Sequence, residues 1–124
     1  MESQAQALKD RTKRFAIRVI TLFRLLPRTD EARIIGKQLL RSATPVAANY
    51  RSVCRARSRA DFVAKLSLVV EETDETVFWL ELLSDSGTLQ KDRVDNLTHE
   101  ASELLAIFAA SQRTVRSPDR AMNK

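Results

Sequence analysis

The stretch RSATPVAANYRSVCRARSRADF, residues 41–62, carries a proline inside a helical pattern and gathers arginines toward its end. Either Pro45 separates a broken helix from a basic arm, or one bent helix runs through it into a bundle. Two seams bear on the choice. Ile35, Leu39, Ser42, Val46, Asn49 and Val53 form one, and Gly36, Leu40, Ala43, Ala47, Tyr50 and Cys54 the other. Both step by fours and threes straight across Pro45, whereas a loop there would shift their phase. Thr44 and Pro45 also read as the cap and first residue of a new helix. The unbroken phase favours one continuous second helix, kinked near Pro45, where a lost amide donor and a clash with the Arg41 carbonyl act together.

Outward from this stretch the same period recurs. Leu8, Thr12, Phe15, Val19, Leu22 and Leu26 form a seam that Pro27 ends, and Thr29 or Asp30 caps the second helix. Ser58, with Asp61 three residues on, opens a third helix on Phe62, Leu66, Val69, Thr73, Thr76, Leu80 and Leu83. Gly87 is its left-handed terminator. A fourth runs from about Asp92 to Arg116 on Val94, Leu97, Ala101, Leu104, Phe108, Ser111 and Val115. The prediction is an all-α, antiparallel up-down-up-down four-helix bundle over residues 1–117, with a flexible tail over 118–124.

Composition agrees. The 124 residues are 44% hydrophobic and 30% charged, with two glycines and three prolines, which suits one helical core and neither disorder nor a many-stranded β fold. The longest apolar run, FAIRVITLFRLL, is interrupted by Arg18 and Arg24 and falls short of the roughly 20 residues that span a bilayer. One cysteine, Cys54, and an N-terminus without a secretory pattern lead to the expectation of a cytoplasmic protein without membrane contact.

The net charge of +5 is unevenly spread: +4 over residues 1–27, +5 over 28–57, −5 over 58–86 and +1 over 87–124. Such asymmetry points to an anionic partner or to self-complementary assembly. Arg11, Arg14 and Arg18 share a face of the first helix, and Arg41, Arg51, Arg55, Arg57 and Arg59 collect along the second and its exit. Arginine forks suit phosphate, and binding through them would fall with salt. The alternative pairs these arginines with the acids of the third helix, within or between subunits.

Other chemistry is weaker. Glu71, Glu72, Asp74 and Glu75 lack the paired Glu-x-x-His motifs of a di-metal bundle, because His99 is the only histidine and Asn96 precedes it at that spacing. No metal or cofactor is expected, and the acids read as a solvated or intersubunit face. Arg93 and His99 have the spacing of a HEPN-like ribonuclease pair, but Val94 replaces the usual polar residue, and six helical residues turn the two side chains apart. No catalytic residue is assigned. Cys54, on an apolar seam, is expected to be packed and poorly exposed. Ser42 and Asn49 occupy a buried seam and read as a structural polar pair that bridges backbone groups or fixes register.

Residues 42–83 resemble the bacterial four-helix-bundle proteins first recognised as products of intervening sequences in 23S ribosomal RNA genes. Ser42, Val46, Asn49, Asp61, Phe62, Glu72, Glu75, Leu80, Leu82 and Leu83 fill that family's pattern, and the likeness extends over about residues 8–115. Arg51 and Ser52 stand where many members have Glu-Gly, and Pro45 where serine is commoner, which suggests a subfamily. The resemblance implies an antiparallel bundle, a ring-shaped homopentamer and no established catalytic activity. A similar bundle is the accessory protein of diversity-generating retroelements, which associates with a reverse transcriptase and nucleic acid. The expected role is therefore a non-enzymatic homo-oligomeric accessory factor binding RNA or DNA, with a reverse transcriptase or ribosomal RNA as partner. The alternative is a protein-interaction scaffold. In a ring, the acidic helix, with Phe78 and Trp79, would meet the basic helices of the next subunit.

Overall fold

A computed structural model describes residues 2–116, and the tail expected over 118–124 lies outside the described residues. The chain forms α1 (Gln4–Arg24), α2 (Asp30–Cys54), α3 (Arg59–Asp85) and α4 (Lys91–Arg116), with no strand among the described residues. Short joints turn each helix back against the one before. α2 and α3 pack most extensively, and α1 against α4 least, which closes an antiparallel four-helix bundle.

Local chemistry starts and stops each helix. Ser3, Thr29 and Ser58 cap α1, α2 and α3, their hydroxyls accepting from the amides of Gln6, Ala32 and Asp61. Asp61 does not complete a capping box with Ser58. Its carboxylate instead accepts from the Arg57 amide, one residue earlier, at 3.3 Å. α1 stops at Arg24 because Pro27 disfavours helical backbone in the residue before it. α3 ends in a turn through Gly87, whose φ of 76° is the left-handed conformation that glycine adopts without a Cβ penalty.

α2 runs unbroken through Pro45 for 25 residues. The apolar face explains why a proline is tolerated: Leu39, Ala43, Val46, Tyr50 and Val53 are buried on both sides of it. Breaking the helix there would expose one half of that stripe, and the burial outweighs one missing hydrogen bond. The core is completed by Phe15, Val19, Leu66, Val69, Leu80, Leu83, Val94, Leu104 and Phe108, with the Tyr50 and Phe108 rings 5.3 Å apart.

Gly36 lets α1 approach α2. A Cβ built there would lie 2.5 Å from Leu26 Cδ1 and 3.0 Å from the Phe23 ring. Gly36→Leu should therefore destabilise the bundle by about 1–3 kcal/mol through overpacking, seen as a melting temperature lowered by several degrees in thermal denaturation. An unchanged melting temperature would show that α1 and α2 are not in close contact at this point.

Candidate functional site

Polar side chains cross-link α2 and α3 inside the bundle. Ser42 is buried and donates to the Leu39 carbonyl at 3.1 Å, while the Thr76 hydroxyl lies 3.0 Å from Ser42 Oγ and 2.8 Å from the Glu72 carbonyl. About two turns further along α2, Asn49 Nδ2 donates to Glu72 Oε1 at 2.7 Å. Thr73 returns its hydroxyl to the Val69 carbonyl. Among the described residues no buried side-chain nitrogen or oxygen lacks a partner, so the buried hydroxyls keep their hydrogen bonds. Glu72 thus differs from a solvated acid: it is half-buried and turned toward α2. Burial pushes its carboxyl above the ordinary value, Asn49 offsets this, and Glu75 and Glu71 add to the rise.

A second cluster joins α1 to α4. Arg11 donates from Nε to Glu100 Oε2 and from Nη2 to Glu100 Oε1, both at 2.7 Å, and Nη2 also reaches Glu103 Oε1 at 2.8 Å. The Arg11 and Glu100 side chains are 29% and 19% exposed. This forked geometry holds the Glu100 carboxyl below the ordinary carboxylate value, the Arg11 hydrogen bonds contributing most and the charges of Arg18 and Arg14 assisting. Its stabilising effect is present above the ordinary carboxylate pKa and is lost as pH falls. Arg11 therefore pairs with α4, not with the acids of α3.

The other arginines separate into two groups. Arg59 is committed to the fold, its Nη2 donating to the Val115 carbonyl near the end of α4. Arg14, Arg18, Arg41, Arg51, Arg55 and Arg57 are exposed, and none has a carboxylate within 4.0 Å among the described residues. The acids Glu71, Asp74 and Glu75 are likewise exposed and without such a pair, beside Phe78, which is 52% exposed. Trp79 turns inward against the core, its ring 4.9 Å from that of Phe78. By helical phase Arg41 and Arg55 lie on the outer side of α2, and Glu71, Asp74, Glu75 and Phe78 on the outer side of α3. The basic and acidic faces are neighbours, not partners, within one chain.

Cys54 is exposed, contrary to the expectation that it packs. It is the last residue of α2, where the seam runs out at the bundle's end. Its thiol borders a cavity of about 370 Å³ between Leu8, Tyr50, Phe62 and Phe108. Burial there, with Cys54 adjacent, pushes the Tyr50 hydroxyl up to about 12. Arg93 is exposed in the first turn of α4, and His99 is exposed with Nε2 3.0 Å from Glu103 Oε2. No three His, Cys, Asp or Glu side chains converge as a metal site among the described residues, and no helix there is long and apolar enough to cross a membrane.

Against this geometry, the family model for 23S rRNA-intervening sequence proteins matches residues 5–110. The chain belongs to that family. Among solved structures it is similar to a protein of unknown function from the S23 ribosomal protein family of Bacteroides thetaiotaomicron, with 32% identity and a TM-score of 0.78 over 86% of this chain and 98% of that one. Comparison with curated proteins gives no match. Family membership accounts for the bundle and assigns no chemistry to it.

Sequence reasoning missed several members of these clusters. Glu100 and Glu103 sit three apart on α4 and could have been read as one acidic face. Thr76, already on the α3 seam, is the natural partner for a buried serine. Lys9 and Lys13, four apart on α1, share a face that the arginine pattern alone does not mark.

The raised Glu72 carboxyl has a pH signature. The native state holds this proton more readily than the unfolded chain, so its contribution to stability falls as pH rises through the Glu72 pKa and then levels off. Glu72→Gln keeps an acceptor for Asn49 and removes the charge. It should melt above the parent protein at pH 7, with the difference closing below the ordinary value of 4.5. A variant that melts lower at pH 7 would contradict this account.

Proposed function

We propose that the chain is a non-enzymatic, homo-oligomeric bundle that binds nucleic acid through the outer faces of α1 and α2 as an accessory factor in a ribonucleoprotein. One observation carries this reading: Arg14, Arg18, Arg41, Arg51 and Arg55 stand exposed without a carboxylate within 4.0 Å among the described residues. Their planar forks are thereby available for phosphate. RNA is the first ligand to test, because the family's genes lie in intervening sequences of 23S rRNA. The acids and Phe78 on α3 suit contact with part of a neighbour's basic face, and a pentameric ring would multiply a modest patch into a strong anion-binding surface.

A second reading, a protein-interaction scaffold, draws support from Phe78, because an exposed ring rimmed by acids is an interface feature independent of phosphate. A ribonuclease reading is weaker. His99 is held by Glu103 on the solvent side of α4, well away in phase from Arg93.

The geometry also says which substitutions are informative. Arg11→Glu would place a carboxylate against Glu100 and Glu103 and should lower the melting temperature whatever the ligand. Arg14→Glu, Arg41→Glu and Arg55→Glu combined should leave melting nearly unchanged and abolish retention of RNA in electrophoretic shift assays at low salt. Full retention by the triple variant would overturn the nucleic-acid reading. Dissociation of the oligomer by the same variant, with no RNA bound by the parent protein, would favour the scaffold.

A further inference from the structure

The basic face contains a built groove. Between the first half of α1 and the last turns of α2 lies a concavity of about 480 Å³, with Lys9 and Lys13 on one side and Arg51 on the other. Lys9 and Lys13 are one turn apart on the same face of α1, and the antiparallel packing brings the end of α2 beside them. Ala47 and Ala48 supply low walls. Asp10 is the only acid lining the groove, and its carboxylate accepts from Gln6 Nε2 at 3.1 Å. The three cations make no ion pair within 4.0 Å among the described residues.

What the groove lacks identifies its ligand more closely. Proteins that bind single strands without sequence preference add base stacking on aromatic rings to their charge. None of the chain's seven aromatic residues lines this groove. Phe15, Tyr50 and Phe108 are buried in the core, Phe23 lies against Gly36, and Phe62 borders the end cavity. Phe78 and Trp79 are on the α3 side among Asp74, Glu75 and Glu81, where phosphate would be repelled. Cations without a stacking platform act on backbone charge alone, and a duplex offers the higher charge density and the greater counterion release per phosphate contacted.

We infer that the groove seats the phosphate backbone of a double-stranded nucleic acid, and that the protein prefers duplex or hairpin stems to unstructured single strands. The inference rests on the nucleic-acid reading above and narrows its substrate class. Binding is shape- and charge-dependent and indifferent to sequence, as expected of contacts made to phosphate.

The test is fluorescence anisotropy with the full chain, using a labelled RNA duplex of about 16 base pairs and an unstructured single strand of equal length, over a salt series. The duplex should bind more tightly per phosphate. Lys9→Gln with Lys13→Gln should weaken duplex binding and reduce the slope of log K against log salt by about two, with the melting temperature unchanged. Tighter binding of the single strand, or an unchanged slope in the lysine variant, would overturn the groove assignment while leaving nucleic-acid binding intact. Failure of both ligands to bind at low salt would overturn the groove assignment and the nucleic-acid reading together.

Discussion

The hydrogen bonds that cross between α2 and α3 set the geometry on which the charged surfaces depend. Ser42 meets Thr76, and Asn49 meets Glu72, along a seam that is mostly apolar and also carries the buried Thr73. Apolar contacts alone tolerate sliding, whereas the Asn49–Glu72 bond is satisfied in one register only, because its loss leaves a half-buried amide and carboxylate without their partner, at about 1–3 kcal/mol. Moving either helix by one residue shifts it about 1.5 Å and rotates it by about 100°, which unpairs both links together. With α2 and α3 locked in phase, Arg41 and Arg55 fall on one outer face and Glu71, Asp74 and Glu75 on the next. The surface charge pattern is therefore a consequence of an interior constraint.

The same reasoning separates arginines that build the fold from those that are available to a ligand. Arg11 is part of the α1–α4 contact, the least extensive in the bundle, where a forked pair with Glu100 substitutes for apolar area. Arg59 ties the start of α3 to the end of α4. Removing these from the basic set shifts the candidate interface toward the α1–α2 side, where Lys9, Lys13, Arg41, Arg51 and Arg55 form one side of the molecule. The acidic side of α3, with the exposed Phe78, is a separate surface with separate chemistry.

Much of this architecture could be read before any coordinates. The seam across Pro45 kept its phase because burial sets phase, and one proline removes a hydrogen bond without changing which residues are apolar. Caps at Thr29 and Ser58 and the turn at Gly87 follow from local chemistry and were equally legible. What escaped depends on contacts distant in sequence. Periodicity placed Arg11 on a face but could not say that the facing carboxylates come from α4, 89 residues away. Nor could it distinguish Phe78 from Trp79, which sit one helical step apart, one turned outward and one inward. Cys54 kept its place on the seam while the bundle around it ended, so pattern alone suggested burial where the structure shows exposure.

The central claim is that charge is segregated so that the α1–α2 side meets phosphate and the α3 side does not. Lysine footprinting tests it on the unmodified protein, because the lysines are themselves distributed across both regions. Lys9, Lys13 and Lys37 belong to α1 and α2, and Lys65 and Lys91 to α3 and α4. With duplex RNA present, acetylation measured by mass spectrometry should fall at Lys9 and Lys13, to a lesser degree at Lys37, and not at Lys65 or Lys91. Protection of Lys65 and Lys91 with Lys9 and Lys13 still reactive would contradict the account.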